Sequence, residues 1–481
     1  MISPLTSITQ TKKAAMASPS PSLLYLFTLL SLLTLPPSTT QTTITLSLSP
    51  PAKPPHTNPW QRLSHLASSS IARASHLKHP RKNSSLTEIP LFPHAYGGYS
   101  VSLGFGTPPQ TLSLLLDTGS SLVWVPCTTH YACTKCDFPN INPTNVSTFI
   151  PKRSSSAKIL GCKNPKCEWL FGPGIRSKCE DCAEGSGNCT RICPAYGIQY
   201  GSGSTSGILL SDTLELPDKS VENFLVGCSI FSTQQPSGIV GFGRGLESLP
   251  AQMGLKKFSY CLISHRFDEE PESSDLILTT GSHYGVTKTN EGLGLSYTPF
   301  VKIKLGKDSA FEEYYYVNLR KITVGGKHVR VPYDLLVPGS DGHGGTIVDS
   351  GTTFTFMEGK VYEAVAREFE RQMVHYSRDA GVENQSGFRP CYNVSGGEEV
   401  VLLFPELVFH FKGGAKMELP LADYFSLVGE SKAVCMTIVT DTGGDITGGP
   451  SIILGNYQQQ DFYLEYDLEN ERLGFRKQTC K

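Results

Sequence analysis

Short stretches in which apolar and polar residues alternate begin near Tyr96 and recur towards the C-terminus. The first three are YSVSLGFG, TLSLLLDTG and LVWVP, and a later stretch, YYYVNLRKITVGGKHV, indicates two strands joined by a Gly-Gly turn. Alternation with a period of two is typical of half-buried β-strands, and the glycines and prolines between the stretches mark turns. The pattern therefore predicts a mainly all-β protein.

Helical periodicity is clear in one segment of this body. Residues 360–376 place Val361, Val365, Phe369 and Met373 on one face, which predicts an amphipathic helix. A shorter helix is expected near residues 246–254. Residues 41–90 are instead rich in Pro, Ser, Thr, His and basic residues and show little periodic pattern, so no helix or strand is predicted there.

The order of strands and motifs occurs twice. GGTIVDSGTTFTF resembles TLSLLLDTGSSLVWV, because each is an apolar run that leads through Asp-Ser/Thr-Gly-Ser/Thr into another apolar run. Far downstream, each copy is followed by two apolar residues and a glycine, at 239–241 and at 453–455. Since 481 residues are also too many for one ordinary core, the repeat predicts two related lobes.

Charge is distributed unevenly along the chain. Residues 1–87 contain eight Lys or Arg and no Asp or Glu, so the net charge of −1 combines a basic leader with an acidic body.

Lys12 and Lys13 precede an apolar run, 23–35, that is typical of a signal peptide and short for a membrane span. We predict a signal peptide over 1–40 and a basic propeptide or linker over 41–90. An uncleaved anchor is the alternative. No nucleic-acid partner is expected.

Fourteen cysteines and five glycosylation sequons indicate the secretory route, and hence a secreted or vacuolar protein. The predicted glycosylation sites are Asn83, Asn145, Asn188, Asn384 and Asn393. Nine cysteines lie within residues 127–193, an insert with little core of its own, and an odd number requires one to pair outside it or remain free. Cys133-x-x-Cys136 and Cys179-x-x-Cys182 also fit zinc spacing. The oxidising compartment favours disulfides, so no metal is predicted.

The strongest chemical signal is the pair of Asp-Ser/Thr-Gly-Ser/Thr tetrapeptides at 117–120 and 349–352. Two carboxylates that face each other cannot both ionise easily, so they share one proton and titrate as a unit. The ionised carboxylate can activate a water while the protonated one polarises a carbonyl. We predict Asp117 and Asp349 as this catalytic pair, with a bell-shaped activity profile centred at acidic pH and no cofactor. The alternative is two ordinary strand-to-turn junctions capped by aspartate.

The remaining residues of the tetrapeptides are predicted to support the pair. Glycine permits the tight turn that directs each aspartate inward, and the hydroxyls that follow can hydrogen-bond the carboxylates. The supporting residues are Thr118, Gly119, Ser120, Ser350, Gly351 and Thr352.

Over residues 96–481 the chain resembles the pepsin-like aspartic proteases, and more closely their plant nepenthesin-type branch, which has a cysteine-rich insert after the first Asp motif. The resemblance lies in LLLDTGSSLVWVPC, YGIQYGSGSTSGILLSDTL, SGIVGFGRG, FSYCL, GTIVDSGTTFTF and SIILGNYQQQDFYLEYD, which follow the family's order. It implies a bilobal β fold with a central cleft and one aspartate from each lobe. The N-terminal lobe is expected over 91–295, with the insert at 127–193 and a flap at 196–210, and the C-terminal lobe over 296–481.

The resemblance also implies roles for single residues. Tyr200 and Gly201 correspond to the flap tip, Trp124 to the tryptophan that the flap tyrosine contacts, and Cys391 and Cys435 to a disulfide in the C-terminal lobe. Without the resemblance, Tyr200 would be a surface hairpin residue and Trp124 a core residue. One departure is Ser350 in place of the family's threonine, and it keeps the hydroxyl.

The function predicted from these features is an aspartic endopeptidase, a monomer acting on protein or peptide substrates. The alternative hypothesis is a binding protein on the same fold, such as a glycoside-hydrolase inhibitor, since some members of the family have lost catalytic residues. The intact aspartate pair favours the protease. Glycoside hydrolysis by two carboxylates does not explain the repeated motif. We also hypothesise that residues 41–90 cover the acidic cleft at neutral pH and leave on acidification. The alternative is a disordered export linker.

Overall fold

The computed structural model describes residues 42–49, 59–78, 97–136, 146–178, 191–201, 203–235, 237–264, 273–280, 294–303, 310–394, 404–428, 433–441 and 448–480. All of them belong to one compact unit, 42–481. The predicted signal peptide, 1–40, and the sequons at Asn83, Asn145 and Asn188 lie outside the described residues. Within those ranges, no helix has both the length and the apolar character of a membrane span.

Strands dominate the described part of the chain. In chain order they are β1 Thr42–Ser49, β2 Ser100–Phe105, β3 Gln110–Asp117, β4 Trp124–Pro126, β5 Ala132–Thr134, β6 Lys158–Ile159, β7 Tyr196–Gln199, β8 Ser204–Leu216, β9 Lys219–Thr233, β10 Gly238–Gly241, β11 Lys257–Cys261, β12 Ser274–Thr280, β13 Ser296–Pro299, β14 Tyr316–Val317, β15 Leu319–Val324, β16 Lys327–Val329, β17 Thr346–Val348, β18 Phe356–Met357, β19 Cys391–Asn393, β20 Leu407–Phe411, β21 Lys416–Glu418, β22 Phe425–Leu427, β23 Ala433–Met436, β24 Ile452–Leu454, β25 Phe462–Asp467 and β26 Arg472–Lys477.

The α-helices between the strands are mostly short. They are α1 Pro59–Lys78, α2 Pro165–Phe171, α3 Leu249–Met253, α4 Tyr333–Leu336, α5 Gly359–Gln372, α6 Ala380–Ser386 and α7 Leu421–Tyr424. Single 3₁₀ turns occur at Pro151–Arg153, Pro173–Lys178, Ala310–Glu313 and Asn456–Gln459.

The strands form one large sheet and three small ones. The 15-stranded sheet has the order β13-β26-β25-β11-β12-β1-β2-β3-β10-β4-β9-β8-β6, with β5 and β7 paired to β9 and β8. The small sheets are β14-β17-β24-β18, β16-β15-β20-β21 and β19-β23-β22. The predicted fold, mainly β with two related lobes, is confirmed.

The repeated motifs occupy equivalent places in the two lobes. In the first lobe β10 runs parallel to β3 and sets Val240 beside Leu116. In the second, β24 runs parallel to β17 and sets Leu454 beside Val348. Each apolar pair from far downstream therefore lies next to the strand that leads into an aspartate, which is the physical reason for finding both motifs twice in the same order.

The two predicted helices are present. In α5 the side chains of Val361, Val365 and Phe369 are fully buried, as the one-sided pattern predicts. The helix ends at Gln372 rather than 376, because the chain then turns to pair Arg378 with Tyr392. The short helix α3 begins after Ser248, whose hydroxyl accepts a hydrogen bond from the Ala251 N–H, and it ends at Gly254 in the left-handed conformation.

The leader contains two elements where the sequence pattern predicts none. Strand β1 pairs antiparallel with β12 and with β2, inside the large sheet. Helix α1 buries one apolar stripe whose members recur at helical spacing, although serines and histidines between them weaken the periodic pattern of the sequence. The stripe consists of Leu63, Leu66, Ala67, Ala74 and Leu77.

The disulfides account for the odd number of cysteines in the insert. Cys127, inside the insert, is bonded to Cys228, outside it. The other described pairs are Cys133–Cys136, Cys167–Cys193, Cys261–Cys480 and Cys391–Cys435. Cys133 and Cys136 are bonded to each other, so these two cysteines are not zinc ligands. The cysteines at 179 and 182, the other pair with zinc spacing, lie outside the described residues.

Candidate active site

The two predicted catalytic aspartates lie at the ends of equivalent strands. Asp117 is the last residue of β3, and Asp349 directly follows β17. Both side chains are fully buried. Each strand is a run of apolar residues that packs in the core, so the polar tetrapeptide that follows begins where the chain leaves the strand.

The two aspartate turns are bound to each other by a reciprocal set of hydrogen bonds. The Thr118 N–H donates to Ser350 Oγ over 3.1 Å, and the Ser350 N–H donates to Thr118 Oγ1 over 2.9 Å. The hydroxyls donate in turn across the lobes, from Ser350 to the Leu116 carbonyl (2.9 Å) and from Thr118 to the Val348 carbonyl (3.2 Å). These buried bonds hold one turn against the other, and serine at 350 supplies the same hydroxyl that threonine would.

Each carboxylate also accepts two hydrogen bonds from its own turn, one from a glycine N–H and one from a hydroxyl. The four bonds are Gly119 N–H to Asp117 Oδ1 (2.9 Å), Ser120 Oγ to Asp117 Oδ2 (2.5 Å), Gly351 N–H to Asp349 Oδ1 (2.9 Å) and Thr352 Oγ1 to Asp349 Oδ2 (2.5 Å). Both side chains are therefore fixed in orientation before any substrate binds.

Glycine is required in both turns by the opposite carboxylate. A Cβ on Gly119 would lie 2.6 Å from Asp349 Oδ1, and a Cβ on Gly351 would lie 2.4 Å from Asp117 Oδ1. Neither glycine has a φ in the left-handed region, so the tight turn inferred from the sequence is not the reason. The reason is the close approach of the two lobes at this point.

A residue that the sequence pattern did not single out, Arg73 of helix α1, reaches both aspartates. Its Nη2 lies 2.6 Å from Asp117 Oδ1, and its Nε lies 3.2 Å from Asp349 Oδ2. The side chain is 3% exposed. One guanidinium thus binds the whole pair. The spacing of the apolar residues around Arg73 indicates a helix, but nothing in the sequence distinguishes Arg73 from the other basic residues of the leader.

Burial and charge act in opposite directions on these groups. Burial raises the pKa of Asp349, the positive charge of Arg73 lowers it, and the charge of Asp117 raises it, with a net upward shift. For Arg73, burial lowers the pKa, but the charges of both aspartates outweigh it and the net shift is upward. The guanidinium therefore stays charged, and acidification acts on the carboxylates.

The predicted flap is a hairpin of β7 and β8 that closes over Arg73. At its tip the Tyr200 N–H donates to the Gly203 carbonyl over 2.6 Å. The Tyr200 hydroxyl accepts a 2.9 Å hydrogen bond from Trp124 Nε1, and burial raises the pKa of this tyrosine. A Cβ on Gly201 would lie 2.2 Å from Arg73 Cα, so the flap backbone packs directly on helix α1.

Helix α1 makes further contacts with the second lobe. Ser70 Oγ accepts a 2.8 Å hydrogen bond from the Phe354 N–H, two residues after the second tetrapeptide. The apolar stripe of α1 belongs to one buried cluster with Tyr314, Tyr316 and Phe354, among others. The helix therefore covers an apolar surface beside the aspartates as well as the aspartates themselves.

The other predicted site residues lie away from the aspartates. Cys391 and Cys435 form a disulfide between paired strands β19 and β23, at the pairing that the resemblance implied. Asn384, in α6, and Asn393, at the end of β19, are exposed. Among the described residues no cluster of three or more His, Cys, Asp or Glu could hold a metal ion.

Comparisons with known proteins identify the relatives of this chain. Residues 99–278 match the family model described as xylanase inhibitor N-terminal, and residues 314–477 match xylanase inhibitor C-terminal. An Arabidopsis thaliana protein named probable aspartyl protease is 35% identical over 79% of this chain and 82% of its own length. Aspartic proteinase nepenthesin-2 of Nepenthes gracilis is 31% identical over 83% and 81%. The chain belongs to the nepenthesin-type branch of the pepsin-like aspartic proteases.

The solved structures similar to this nepenthesin-type protein include that of edgp, with a TM-score of 0.58 and 18% identity over 92% of this chain and 96% of that one. At this identity the likeness concerns the fold alone.

Proposed function

We propose that this nepenthesin-type protein is an aspartic endopeptidase in which Asp117 and Asp349 activate a water that hydrolyses peptide bonds. The observation that carries the proposal is the near-symmetric pair of buried carboxylates, each held by a glycine N–H and a hydroxyl and each in contact with the opposite turn. An inactive binding protein has no need of two turns supported in this matched way. The substrates would be proteins or peptides, as the names of its relatives suggest.

The chemistry follows from the shared proton. One carboxylate is ionised and takes a proton from the water as it attacks the scissile carbonyl. The other is protonated and donates a hydrogen bond to the carbonyl oxygen while the bond between the water oxygen and the carbonyl carbon forms. One proton then passes from the pair to the leaving nitrogen as the C–N bond breaks, and the pair is again singly protonated. Thr352 and Ser120 each donate a hydrogen bond to one oxygen of their own carboxylate and so keep both side chains in orientation throughout.

We further propose that the leader acts as an inhibitory propeptide. Arg73 contacts one oxygen of each carboxylate, which is the space that the attacking water and the scissile carbonyl would need. Strand β1 and the apolar stripe of α1 attach the same segment to the body on both sides of Arg73. Through Arg73, the aspartate pair is thus a specific acceptor for part of the basic charge of the leader.

Acid is expected to release the propeptide. The ion pairs require ionised carboxylates, and the pKa of Asp349 is already raised by burial. As the pH falls through that raised pKa, protonation of Asp349 removes its attraction for Arg73 and the segment is held less strongly. The same acidification leaves the pair singly protonated, which is the form that catalysis needs.

A second candidate function is suggested by the description of the matching family model, xylanase inhibitor. In that case the protein would bind a glycoside hydrolase through its surface and the aspartates would be structural. The two candidates differ in whether the carboxylates are needed.

The deciding experiment uses the purified full chain, the variants Asp117→Asn and Asp349→Asn, and Asp218→Asn as a matched control, since Asp218 is exposed between β8 and β9. We expect acid-dependent hydrolysis of a denatured protein substrate by the unmodified chain and the control, and a loss of at least 10³-fold in both dyad variants. Full activity in either dyad variant would refute the assignment. Inhibition of a xylanase without any proteolysis would favour the second candidate.

We also propose that the protein is secreted or vacuolar and glycosylated. The described disulfides fit an oxidising compartment, and the exposed Asn384 and Asn393 leave room for sugars. Mass spectrometry of the native protein before and after deglycosylation tests this, and an unchanged mass would contradict it.

A further inference from the structure

Helix α1 carries a second buried cation, Lys78, five residues after Arg73. The Lys78 side chain is fully buried, and its Nζ lies 2.9 Å from Glu358 Oε2. The same Nζ lies 5.3 Å from the centre of the Phe356 ring, and Ser451 Oγ is 3.3 Å from Glu358 Oε2. Lys78 therefore lies against a carboxylate and an aromatic face, which are groups that bind an ammonium, and the Ser451 hydroxyl donates to the same carboxylate oxygen.

The walls of this pocket belong to the second lobe rather than to the leader. Phe356 lies in β18, and Glu358 directly precedes α5. The Glu358 N–H donates to the Ser451 carbonyl over 2.8 Å, which joins the start of α5 to the segment before β24. Gly449 in the same segment, at φ 61°, passes so close that a Cβ there would lie 2.2 Å from Lys78 Cα. The pocket thus consists of elements that remain when the leader is removed.

The pocket lies within reach of a peptide bound at the aspartates. Five residues of helix separate Lys78 from Arg73, a rise of roughly 7.5 Å along the helix axis. An extended peptide advances roughly 3.3 Å per residue. The rise along the helix thus corresponds to about two residues of extended peptide. A peptide at an angle to the helix would need more residues, so a side chain about two to four residues from the scissile bond would reach Glu358.

Release of the leader would leave Glu358 without its cation. The Glu358 side chain is 13% exposed with Lys78 in place, and Asp441 adds further negative charge to the surroundings of Lys78. A partly buried carboxylate without a partner favours the binding of another cation.

We propose that Glu358, with Ser451 and Phe356, forms a substrate subsite that binds a lysine or arginine side chain two to four residues from the cleaved bond. Lys78 occupies this subsite in the precursor. The proposal rests on the proposed protease function and on departure of the leader, and it assigns to the cleft a preference for basic substrates in addition to any apolar one.

The test is a set of peptides cleaved at one bond, with norleucine at each of the four positions on either side, replaced one at a time by lysine. The full chain is processed at acidic pH before the assay. Lysine and norleucine have similar length, so their ratio of kcat/KM reports the charge. We expect one position at which lysine is favoured about tenfold, and a preference that weakens as the salt concentration rises.

Two variants connect the preference to the residue. Glu358→Gln should reduce the lysine-to-norleucine ratio at that position to about one, and Glu358→Lys should make glutamate better than lysine there. Glu363→Gln is the matched control, because Glu363 lies in the helix α5 that begins directly after Glu358, is 41% exposed and pairs with Arg389; it should keep the full ratio.

The possible results distinguish a failure of the proposed subsite from a failure of the proposed protease function. Cleavage with equal rates for lysine and norleucine at all positions in the unmodified chain overturns the subsite and leaves the protease standing, even if no variant folds. An unchanged ratio in Glu358→Gln does the same. Failure to cleave any peptide overturns the proposed function and the subsite together.

Discussion

Replacing Arg73 by glutamine should release the active site of the precursor at a higher pH. Glutamine keeps part of the length and hydrogen-bonding capacity of arginine but carries no charge. The change removes the contacts to Asp117 and Asp349, at 2.6 and 3.2 Å, from a site in which all three side chains are buried. Because two carboxylates then face each other without a cation, the pKa of Asp349, already raised by burial, should rise further.

The size of the effect follows from the burial of the group. Removing one partner of a buried ion pair costs about 3–5 kcal/mol, and each 1.4 kcal/mol corresponds to a factor of ten. If most of that cost falls on the closed precursor, the population with an accessible site should rise about 10²- to 10³-fold. The apolar stripe and Ser70 still attach the helix, so the variant precursor should remain folded and merely open more often.

Two assays report this opening in the full chain. One is binding of a labelled statine-type mimic to the uncleaved precursor, since its hydroxyl takes the place of the attacking water. The other is N-terminal processing followed by intact mass between pH 3 and 7.5. We expect the pH at which processing begins to move towards neutral by one unit or more in Arg73→Gln.

The controls isolate the guanidinium. Arg320→Gln removes an exposed arginine of the body and should behave as the unmodified chain. Arg73→Lys keeps the charge but loses the fork that reaches both carboxylates, so it should fall between the two. If Arg73→Gln bound the mimic and processed with the same pH dependence as the unmodified precursor, Arg73 would not be what blocks the site.

Two further predictions follow from single side chains. Gly351→Ala places a methyl group 2.4 Å from Asp117 Oδ1, so it should lower kcat by at least 100-fold in a peptide assay while circular dichroism stays unchanged; near-normal turnover would show that the turns can separate at no cost. Burial, together with the charge of Asp461, raises the pKa of Asp423 from 3.8 to about 8. Between these pH values the folded state holds a proton that the unfolded state has lost, so stability should fall with rising pH by up to ~1.4 kcal/mol per unit. Asp423→Asn should flatten that slope in urea unfolding at pH 5, 6.5 and 8, and an unaltered slope would contradict the shift.

Much of the fold could be predicted because it depends on local pattern. Helix α5 buries one face because its apolar residues recur every three to four positions, and this is visible without any partner. The two lobes could be predicted because the motif pairs, ending in Gly241 and Gly455, are repeated in order. Helix α1 of the leader could not be predicted in this way. Its apolar residues have helical spacing, but the serines and histidines between them make the periodic pattern weak.

For several residues that the sequence predicted correctly, only the structure shows why that residue type is required. The sequence predicted Gly119 and Gly351 as turn residues, yet each is required because the opposite carboxylate approaches it. The odd cysteine count required a partner outside the insert or a free thiol, but only the packing of β4 beside β9 identifies Cys228 as that partner.

The amino-acid sequence by itself determined the two aspartates, their supporting hydroxyls and the β-rich class, because each depends on neighbours within a few positions along the chain. The tertiary structure decided which cations face which carboxylates. Arg73 and Lys78 are two among many basic residues, and they differ from the rest only because helix α1 is packed so that one reaches the aspartates and the other reaches Glu358. An electrostatic contact depends on distance in space, and for these partners, 44 to 280 residues apart in the chain, that distance is set by the fold.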